Sequence, residues 1–119
     1  PGIYVQADPA LLQQAVQNLV NNAIKYNVPQ GKIQFGLFRH EGNVRFTVAN
    51  TSAGISDDDR KRVFHRFYRG DPAHSREVDG LGLGLSLARE IVRAHHGKLW
   101  LADAPEGWVL FVMELPTAE

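Results

Sequence analysis

The sequence predicts an α+β two-layer sandwich, in which a mixed, mostly antiparallel sheet is covered on one face by about three helices. Apolar residues recur at helical spacing in some segments and alternate with polar residues in others. These segments follow one another in the order strand, helix, two strands, helix, loop, helix, two strands. At 119 residues with 44% hydrophobic content, the chain is long enough for one domain with its own core.

The first predicted helix extends from Asp8 to about Tyr26. Asp8 can cap this helix, and Pro9 suits its first position. Residues 3–6, before the helix, could form a short strand. The apolar face of the helix, which must pack on the core, consists of Leu12, Ala15, Val16, Leu19, Val20 and Ala23.

A polar stripe borders this apolar face, because positions four and seven residues apart lie on one side of a helix. It contains Asn18, Asn22, Lys25 and Tyr26. Amide side chains beside a core need hydrogen-bond partners. The stripe is therefore either the solvated edge of a helix or one wall of a binding site.

Two hairpins are predicted from alternating patterns. Apolar residues alternate over 33–38 and 44–48 around a turn at 40–43, and the second of these strands leads into the small-residue loop 50–55. Residues 99–101 and 108–115 form the second predicted hairpin, around a turn at 105–107.

A glycine-rich segment precedes the last predicted helix. Residues 56–65 suit a short helix, and residues 69–79 contain so few apolar side chains that we expect them to be mobile. Gly80, Gly82 and Gly84 then lead into an amphipathic helix that we expect Gly97 to end. Such a junction can present backbone N–H groups to phosphate, but by itself it could equally be a flexible joint.

Composition excludes several classes of function. The 13 basic residues balance the 13 acidic ones, so we expect neither a nucleic-acid surface nor membrane insertion of this domain. The absence of cysteine excludes a disulfide scaffold, a zinc finger and a thiol nucleophile. The sequence contains neither a long apolar run nor a signal peptide.

Four separated motifs resemble those of sensor histidine kinases in their order and spacing. Residues 18–26 (NLVNNAIKY) resemble the N box, and residues 50–55 stand where the first glycine box belongs. Residues 63–69 (VFHRFYR) resemble the F box, and residues 80–85 (GLGLGL) match the second glycine box. The resemblance implies the catalytic ATP-binding domain of a two-component histidine kinase, with the GHKL ATPase fold, and residues 1–119 as a piece of a longer kinase.

The resemblance also implies a role for each motif residue. Asn22 would coordinate Mg²⁺ through its amide oxygen, with Asn18 assisting or holding water. Lys25 would contact phosphate, and Tyr26 would lie against the adenine or the ribose. Asn50 would read the adenine amino group.

The remaining motif residues would surround the base and the phosphates. Gly54 would give the base room, Phe64 and Phe67 would anchor a mobile ATP lid, and Arg69 would contact the γ-phosphate. Lys25 and Arg69 are the implied catalytic residues, and Asn22 and Asn18 are the implied metal ligands. The full implied ATP-binding set is Asn18, Asn22, Lys25, Tyr26, Asn50, Gly54, Ile55, Phe64, Phe67, Tyr68, Arg69, Gly80, Leu81, Gly82, Leu83, Gly84 and Leu85.

Three positions depart from the family pattern. Asn50 replaces the usual aspartate. Its side-chain oxygen can still accept the adenine N–H, and its NH₂ group can reach a ring nitrogen. Because the negative charge of the carboxylate is lost, we predict weaker nucleotide binding. Ser52 replaces a glycine, which matters only if that residue needs a positive φ. His96 replaces another glycine, which we interpret as surface variation.

Two absences narrow the predicted chemistry. Relatives that hydrolyse ATP or phosphorylate serine carry a glutamate base four residues before the metal-binding asparagine. In this sequence that position is Asn18, whose side chain cannot act as a base. None of the five histidines has the sequence context of a phosphoacceptor. The resemblance therefore implies a separate dimerisation domain that receives the phosphoryl group, and a response regulator as the onward partner.

Two alternatives stay open. Asn50 and Ser52 favour a degenerate module that binds nucleotide weakly or not at all and works by docking to a partner. Asn22, Lys25 and the three glycines oppose this alternative. A GHKL ATPase or serine kinase is opposed by Asn18. We expect a cytoplasmic location, either free or as the cytoplasmic portion of a membrane-bound sensor.

Overall fold

The computed structural model describes residues 3–53, 60, 63–64 and 84–118. Within these ranges the chain forms two helices and four strands, namely α1 (Pro9–Lys25), β1 (Ile33–His40), β2 (Asn43–Thr51), α2 (Gly84–Ala94), β3 (Lys98–Ala102) and β4 (Trp108–Pro116). The strands form one sheet in the order β1-β2-β4-β3, and every neighbouring pair is antiparallel. The α+β two-layer fold is confirmed, and the described part of the sheet contains no parallel pair.

The core lies between the two helices and one face of the sheet. Alternate residues of β2 and β4 turn their side chains to this face, since successive side chains of a strand point to opposite sides. The buried apolar residues of the cluster are Ala15, Leu19, Ala23, Val48, Val63, Leu85, Ala88, Ile91, Val92, Leu99, Val109, Phe111, Met113 and Leu115. The apolar stripe predicted for α1 is thereby confirmed at its three most buried positions.

The N-terminus of α1 begins as the sequence predicts. The Asp8 carboxylate accepts hydrogen bonds from the backbone N–H groups of Ala10 and Leu11, at 3.0 and 3.2 Å. This capping satisfies donors that have no partner within the helix. The predicted strand over residues 3–6 does not form. The Ala118 N–H donates a hydrogen bond to the Tyr4 carbonyl at 2.8 Å, but these residues join no strand of the sheet.

The hairpin of β1 and β2 turns within two residues. Glu41 and Gly42 both have positive φ, at 50° and 80°. This pairing is typical of the type I′ turn, whose twist matches that of the flanking strands. The predicted hairpin is confirmed, with Ile33 opposite Asn50 at its open end.

The C-terminus of α2 differs from the prediction. The residue with the left-handed conformation is His96, with φ of 65°, and not Gly97. The His96 N–H bonds to the Arg93 carbonyl and the Gly97 N–H bonds to the Val92 carbonyl, at 3.0 and 2.9 Å, which is a Schellman motif. His96 is exposed, but it is more than surface variation because it carries the backbone strain of the helix end.

Gly97 is needed for close packing and not for its dihedral angles. A Cβ atom at this position would lie 2.3 Å from the backbone oxygen of Glu114 and 2.6 Å from the Leu115 side chain. Any side chain would therefore push α2 away from β4.

The outer end of the sheet leaves apolar side chains uncovered. Phe35 and Leu37 of β1 lie on the helix-facing side but are 57% and 59% exposed. Phe35 stacks on Phe46 of β2 with ring centroids 6.2 Å apart. The helices of the described part therefore cover the sheet over β2, β4 and β3 more fully than over β1.

Candidate nucleotide-binding site

A hydrogen bond joins the N-box helix to the end of the glycine loop. The Asn18 amide nitrogen donates to the Gly84 carbonyl at 3.0 Å, across 66 positions of sequence. Gly84 is the last of the three alternating glycines and the first residue of α2. Two motifs that the sequence analysis assigned to one site therefore lie in contact.

The other polar residues of the N box lie at the C-terminal end of α1. Asn22 is half-buried and follows Asn18 by one turn, so both point to the same side of the helix. Lys25 is the last helical residue, and its Nζ lies 5.0 Å from the centroid of the Tyr26 ring. Their implied contacts with metal, phosphate and base remain predictions.

Asn50 is the one buried polar residue in the described part of the chain. It stands near the end of β2, is 2% exposed, and its amide nitrogen donates to the Thr51 carbonyl at 2.8 Å. Alternation along β2 places it on the same face as Val48, toward the helices. A buried carboxamide at a strand end suits the reading of a base, because it offers a donor and an acceptor in one plane.

Ser52 does not strain the loop that follows. Among the described non-glycine residues, positive φ occurs at Gln30, Glu41 and His96, so Ser52 does not occupy the left-handed region. Its N–H donates to the Gly107 carbonyl at 2.9 Å. The condition under which this substitution would matter is therefore not met.

A polar cluster that the sequence analysis missed ties the end of α1 to the end of β2. The Thr51 hydroxyl donates to the Asn27 side-chain oxygen and accepts the Lys32 N–H at 2.8 Å. The Asn27 amide nitrogen donates to the Lys32 carbonyl at 3.1 Å. We call these three residues the Asn27–Thr51 cluster, and it fixes the spacing between Tyr26 and Asn50.

Gly31 allows this cluster to close. A Cβ atom at residue 31 would lie 1.9 Å from the Asn27 side-chain oxygen and 2.2 Å from the Thr51 hydroxyl. The sequence shows only a glycine in the turn after α1. It does not reveal the contact between Asn27 and Thr51, because these two residues lie far apart in sequence.

Phe64 of the F box is anchored in the core. Its ring meets Phe111 of β4 edge to face, with centroids 5.8 Å apart, and the Arg89 guanidinium lies 4.9 Å from its centroid. Burial, together with the nearby Arg93 charge, lowers the pKa of Arg89. Such packing on both sides is what an anchor for a neighbouring segment requires.

The rest of the implied site lies outside the described residues. This applies to the predicted lid over 69–79, to the predicted helix over 56–65 apart from residues 60, 63 and 64, and to Gly54, Ile55, Phe67, Tyr68, Arg69, Gly80, Leu81, Gly82 and Leu83. Their roles stay predictions.

Comparison with known proteins agrees with the resemblance. The family model described as "Histidine kinase-, DNA gyrase B-, and HSP90-like ATPase" matches residues 7–119. The adaptive-response sensory kinase SasA of Nostoc sp. is 41% identical over 113 residues, which are 94% of this chain and 28% of SasA. The chain therefore spans about a quarter of that relative.

Solved structures share the fold. The catalytic domain of histidine kinase ThkA, in a nucleotide-free form, matches with a TM-score of 0.79 and 33% identity over 94% of this chain and 70% of that one. ThkA in complex with the response regulator TrrA matches with a TM-score of 0.74 and 30% identity, over 96% of this chain and 30% of that one.

The chain belongs to the family of histidine kinase-, DNA gyrase B- and HSP90-like ATPases. Within it, the chain corresponds to the catalytic ATP-binding domain of sensor histidine kinases. None of the helices in the described ranges has the length and apolar character needed to cross a membrane.

Proposed function

We propose that this domain binds Mg-ATP and donates the γ-phosphoryl group to a histidine on a separate dimerisation domain of the same protein. The phosphoryl group then passes to an aspartate of a response regulator. The observation that carries this proposal is the Asn18–Gly84 hydrogen bond, since it brings the N box against the end of the glycine loop. This contact supports a phosphate and metal site where the N box meets the end of the glycine loop.

The donor set of the N box fits Mg²⁺. Asn18 and Asn22 supply amide oxygens, which are hard ligands, and Mg²⁺ is usually held by few protein groups plus phosphates and water. The bond to Gly84 uses the nitrogen of Asn18, so its oxygen is the atom suited to a cation or its water. When bound, Mg²⁺ neutralises charge on the phosphates.

The protein groups would act by positioning and charge. Lys25, at the end of α1, would hold a phosphate oxygen, and Arg69 would contact the γ-phosphate. Asn18 occupies the position of the glutamate base in ATPases of this family and cannot activate water. An imidazole nitrogen needs no such base, so attack on the γ-phosphorus forms an N–P bond as the bond to the ADP oxygen breaks.

The partners follow from this chemistry. None of the five histidines of this chain has a phosphoacceptor context, so the acceptor belongs to another domain. The response regulator bound to ThkA supports the same kind of onward partner here. This phosphorelay would operate in the cytoplasm, with the parent protein either free or anchored in a membrane.

A domain exchange tests the proposal. The matched 113-residue segment of SasA is replaced by this chain, and the chimera is incubated with ATP labelled at the γ-phosphate. We expect an acid-labile, base-stable phosphohistidine, which an Asn22→Ala chimera should lack. Base-labile phosphoserine, or release of free phosphate without a phosphoprotein, would contradict the proposal.

A further inference from the structure

β1 is an edge strand of the described sheet, and every second residue directs its backbone groups away from β2. The Thr51 N–H donates to the Lys32 carbonyl at 3.0 Å, so the even-numbered residues from Lys32 onwards are those that bond to β2. The odd-numbered residues, which include Ile33, Phe35 and Leu37, point their N–H and C=O groups to the outer edge. A row of donors and acceptors is therefore presented to a further strand.

This edge lacks the features that usually prevent a strand from pairing with another chain. Natural edge strands carry Lys, Pro or a β-bulge for that purpose. The pairing of β1 with β2 is unbroken from Ile33 to His40, so β1 has no bulge, and it contains neither Lys nor Pro. β3, at the other edge, has five residues and begins with Lys98, and its Ala102 carbonyl accepts a bond from Arg60 at 3.2 Å. Of the two edges of the described sheet, β1 is therefore the one suited to pairing.

The helix-facing side of β1 and the adjacent side of α1 expose an apolar surface. Phe35 and Leu37 are 57% and 59% exposed, and Ile24 of α1 is 60% exposed. Ile24 lies across the apolar stripe of α1 from Asn18, which bonds to α2, so it lies on the side of β1. We call Ile24, Phe35 and Leu37 the β1 flank. Large apolar side chains gathered in one exposed area indicate a docking surface.

An antiparallel second copy of β1 matches both the backbone groups and the β1 flank. Opposite residues of antiparallel strands exchange hydrogen bonds, so Phe35 pairs with Leu37 of the second copy and Leu37 with its Phe35. A two-fold axis then passes between the two Gly36 residues, and the contact is the same on both copies. The apolar side chains of the two flanks meet on one face of the sheet.

The helices leave room for this arrangement. α1 packs on β2, so the two α1 helices are separated by about three strand spacings, or roughly 14 Å. Helices in direct contact lie about 8–10 Å apart, so the two copies of α1 do not collide. Side chains of the β1 flank from both copies fill the space between them.

Charge complementarity supports a second copy as the occupant. In the register that pairs Phe35 with Leu37, residue 32 lies opposite residue 40 of the second copy, which brings Lys32 beside its Glu41. Both side chains are exposed. The two-fold axis repeats this pair at the other end of the contact, so opposite charges close both ends of the apolar centre.

We propose that two copies of this chain associate through β1 into a two-fold dimer, in which the two sheets become one antiparallel sheet with the helices of both copies on the same face. Roughly ten residues a side take part, fewer than the 20–30 of a standard interface, so the dimer forms at high concentration. A protein that already holds two copies together reaches the millimolar range. The contact does not involve the nucleotide site and does not depend on the proposed function.

Sedimentation equilibrium of the chain tests self-association up to about 1 mM, the effective concentration of tethered copies. We expect the apparent mass to rise with concentration from 13.3 kDa toward twice that value. Leu37→Glu puts charge into the apolar centre and should abolish the rise. Leu11→Glu is the matched control, since Leu11 is 41% exposed on the opposite side of α1, and it should leave the rise unchanged.

Both variants should keep the circular dichroism spectrum of the original chain, because both residues lie at the surface. A constant mass of 13.3 kDa at every concentration would overturn the proposal and leave the β1 flank to a different partner. Equal loss of association in the two folded variants would also overturn it.

The absence of cysteine from the chain allows the register to be read by crosslinking. Gln34 lies opposite Phe38 of the second copy, in a non-hydrogen-bonded pair with Cα atoms about 4.5 Å apart, which suits a disulfide. The two Gln34 residues lie four positions apart along the strands, or about 13 Å, which is too far. A mixture of Gln34→Cys and Phe38→Cys chains should therefore oxidise mainly to the mixed dimer.

The same mixture in denaturant is the control and should give like and mixed pairs in statistical proportion. Statistical proportions in native buffer as well would contradict the pairing through β1, even if the chain dimerises.

Reversal of the end charges distinguishes this contact from any other dimer. Lys32→Glu and Glu41→Lys each bring like charges together at both ends, and each should weaken association about threefold or more. The double variant restores opposite charges and should regain the original affinity. A double variant that is weaker than either single variant would refute the register.

Discussion

At the scale of single residues, the end of α2 places a histidine where glycine is usual and a glycine where a side chain is usual. His96 takes φ of 65°, and Gly97 packs directly on the backbone of β4. The sequence shows that one glycine stands near the helix end but not which of the two neighbours adopts the left-handed conformation. The register of the hydrogen bonds decides this, and it depends on how α2 packs on the sheet.

His96→Gly should raise the free energy of unfolding by about 0.5–1 kcal/mol, because glycine adopts positive φ without the Cβ clash, although it loses more entropy on folding. Chemical denaturation of the purified chain measures this. Gly97→Ala is the matched change and should lower the same quantity by roughly 1–3 kcal/mol through overpacking. A stabilising Gly97→Ala, or a destabilising His96→Gly, would contradict the assignment of the helix end.

At the scale of elements, the two helices and both hairpins follow from local patterns, whereas the contacts between them do not. Capping by Asp8, the apolar stripe of α1 and the alternation of β1 and β2 are local signals, and the structure agrees with each. The Asn27–Thr51 cluster joins residues 24 positions apart, and the Asn18–Gly84 bond joins residues 66 positions apart. Only the resemblance to a family suggested that the second pair belongs to one site.

Asn18→Ala removes the bond between α1 and α2 and should cost about 1 kcal/mol of unfolding free energy, as expected for one partly buried hydrogen bond. It should also weaken ATP binding. Gln17→Ala is the control one residue away, since the Gln17 side chain bonds to Asn21 on the exposed side of the helix.

The control should change stability by less than about 0.5 kcal/mol and leave ATP affinity unaltered. Thermal unfolding and nucleotide titration of both variants make the comparison. Equal effects of the two variants would show that the Gly84 contact contributes nothing specific.

At the scale of the whole molecule, burial separates the core from the uncovered end of the sheet. Leu19 is 1% exposed and Leu37 is 59% exposed, although both belong to apolar stretches of similar appearance in the sequence. Alternation places Leu37 on the helix-facing side, but it cannot show how far the helices extend over β1. The roles of the motif residues outside the described ranges stay predictions.

Leu19→Ala should therefore cost roughly 2–5 kcal/mol of unfolding free energy, since it leaves a cavity in the core. Leu37→Ala makes the same chemical change and should cost less than about 1 kcal/mol, because most of that side chain is already in water. Denaturant unfolding of both variants tests the pair. Similar costs would mean that the outer part of β1 is buried in solution.

The central claim is that this domain binds ATP through the N box and a divalent cation, and calorimetric titration tests it most directly. ATP is titrated into the chain with Mg²⁺, with a chelator, and into an Asn22→Ala variant with Mg²⁺. We predict saturable binding that is weakened by the chelator and by the variant. Absence of binding at millimolar ATP, or binding that neither removal of Mg²⁺ nor Asn22→Ala affects, would contradict the account.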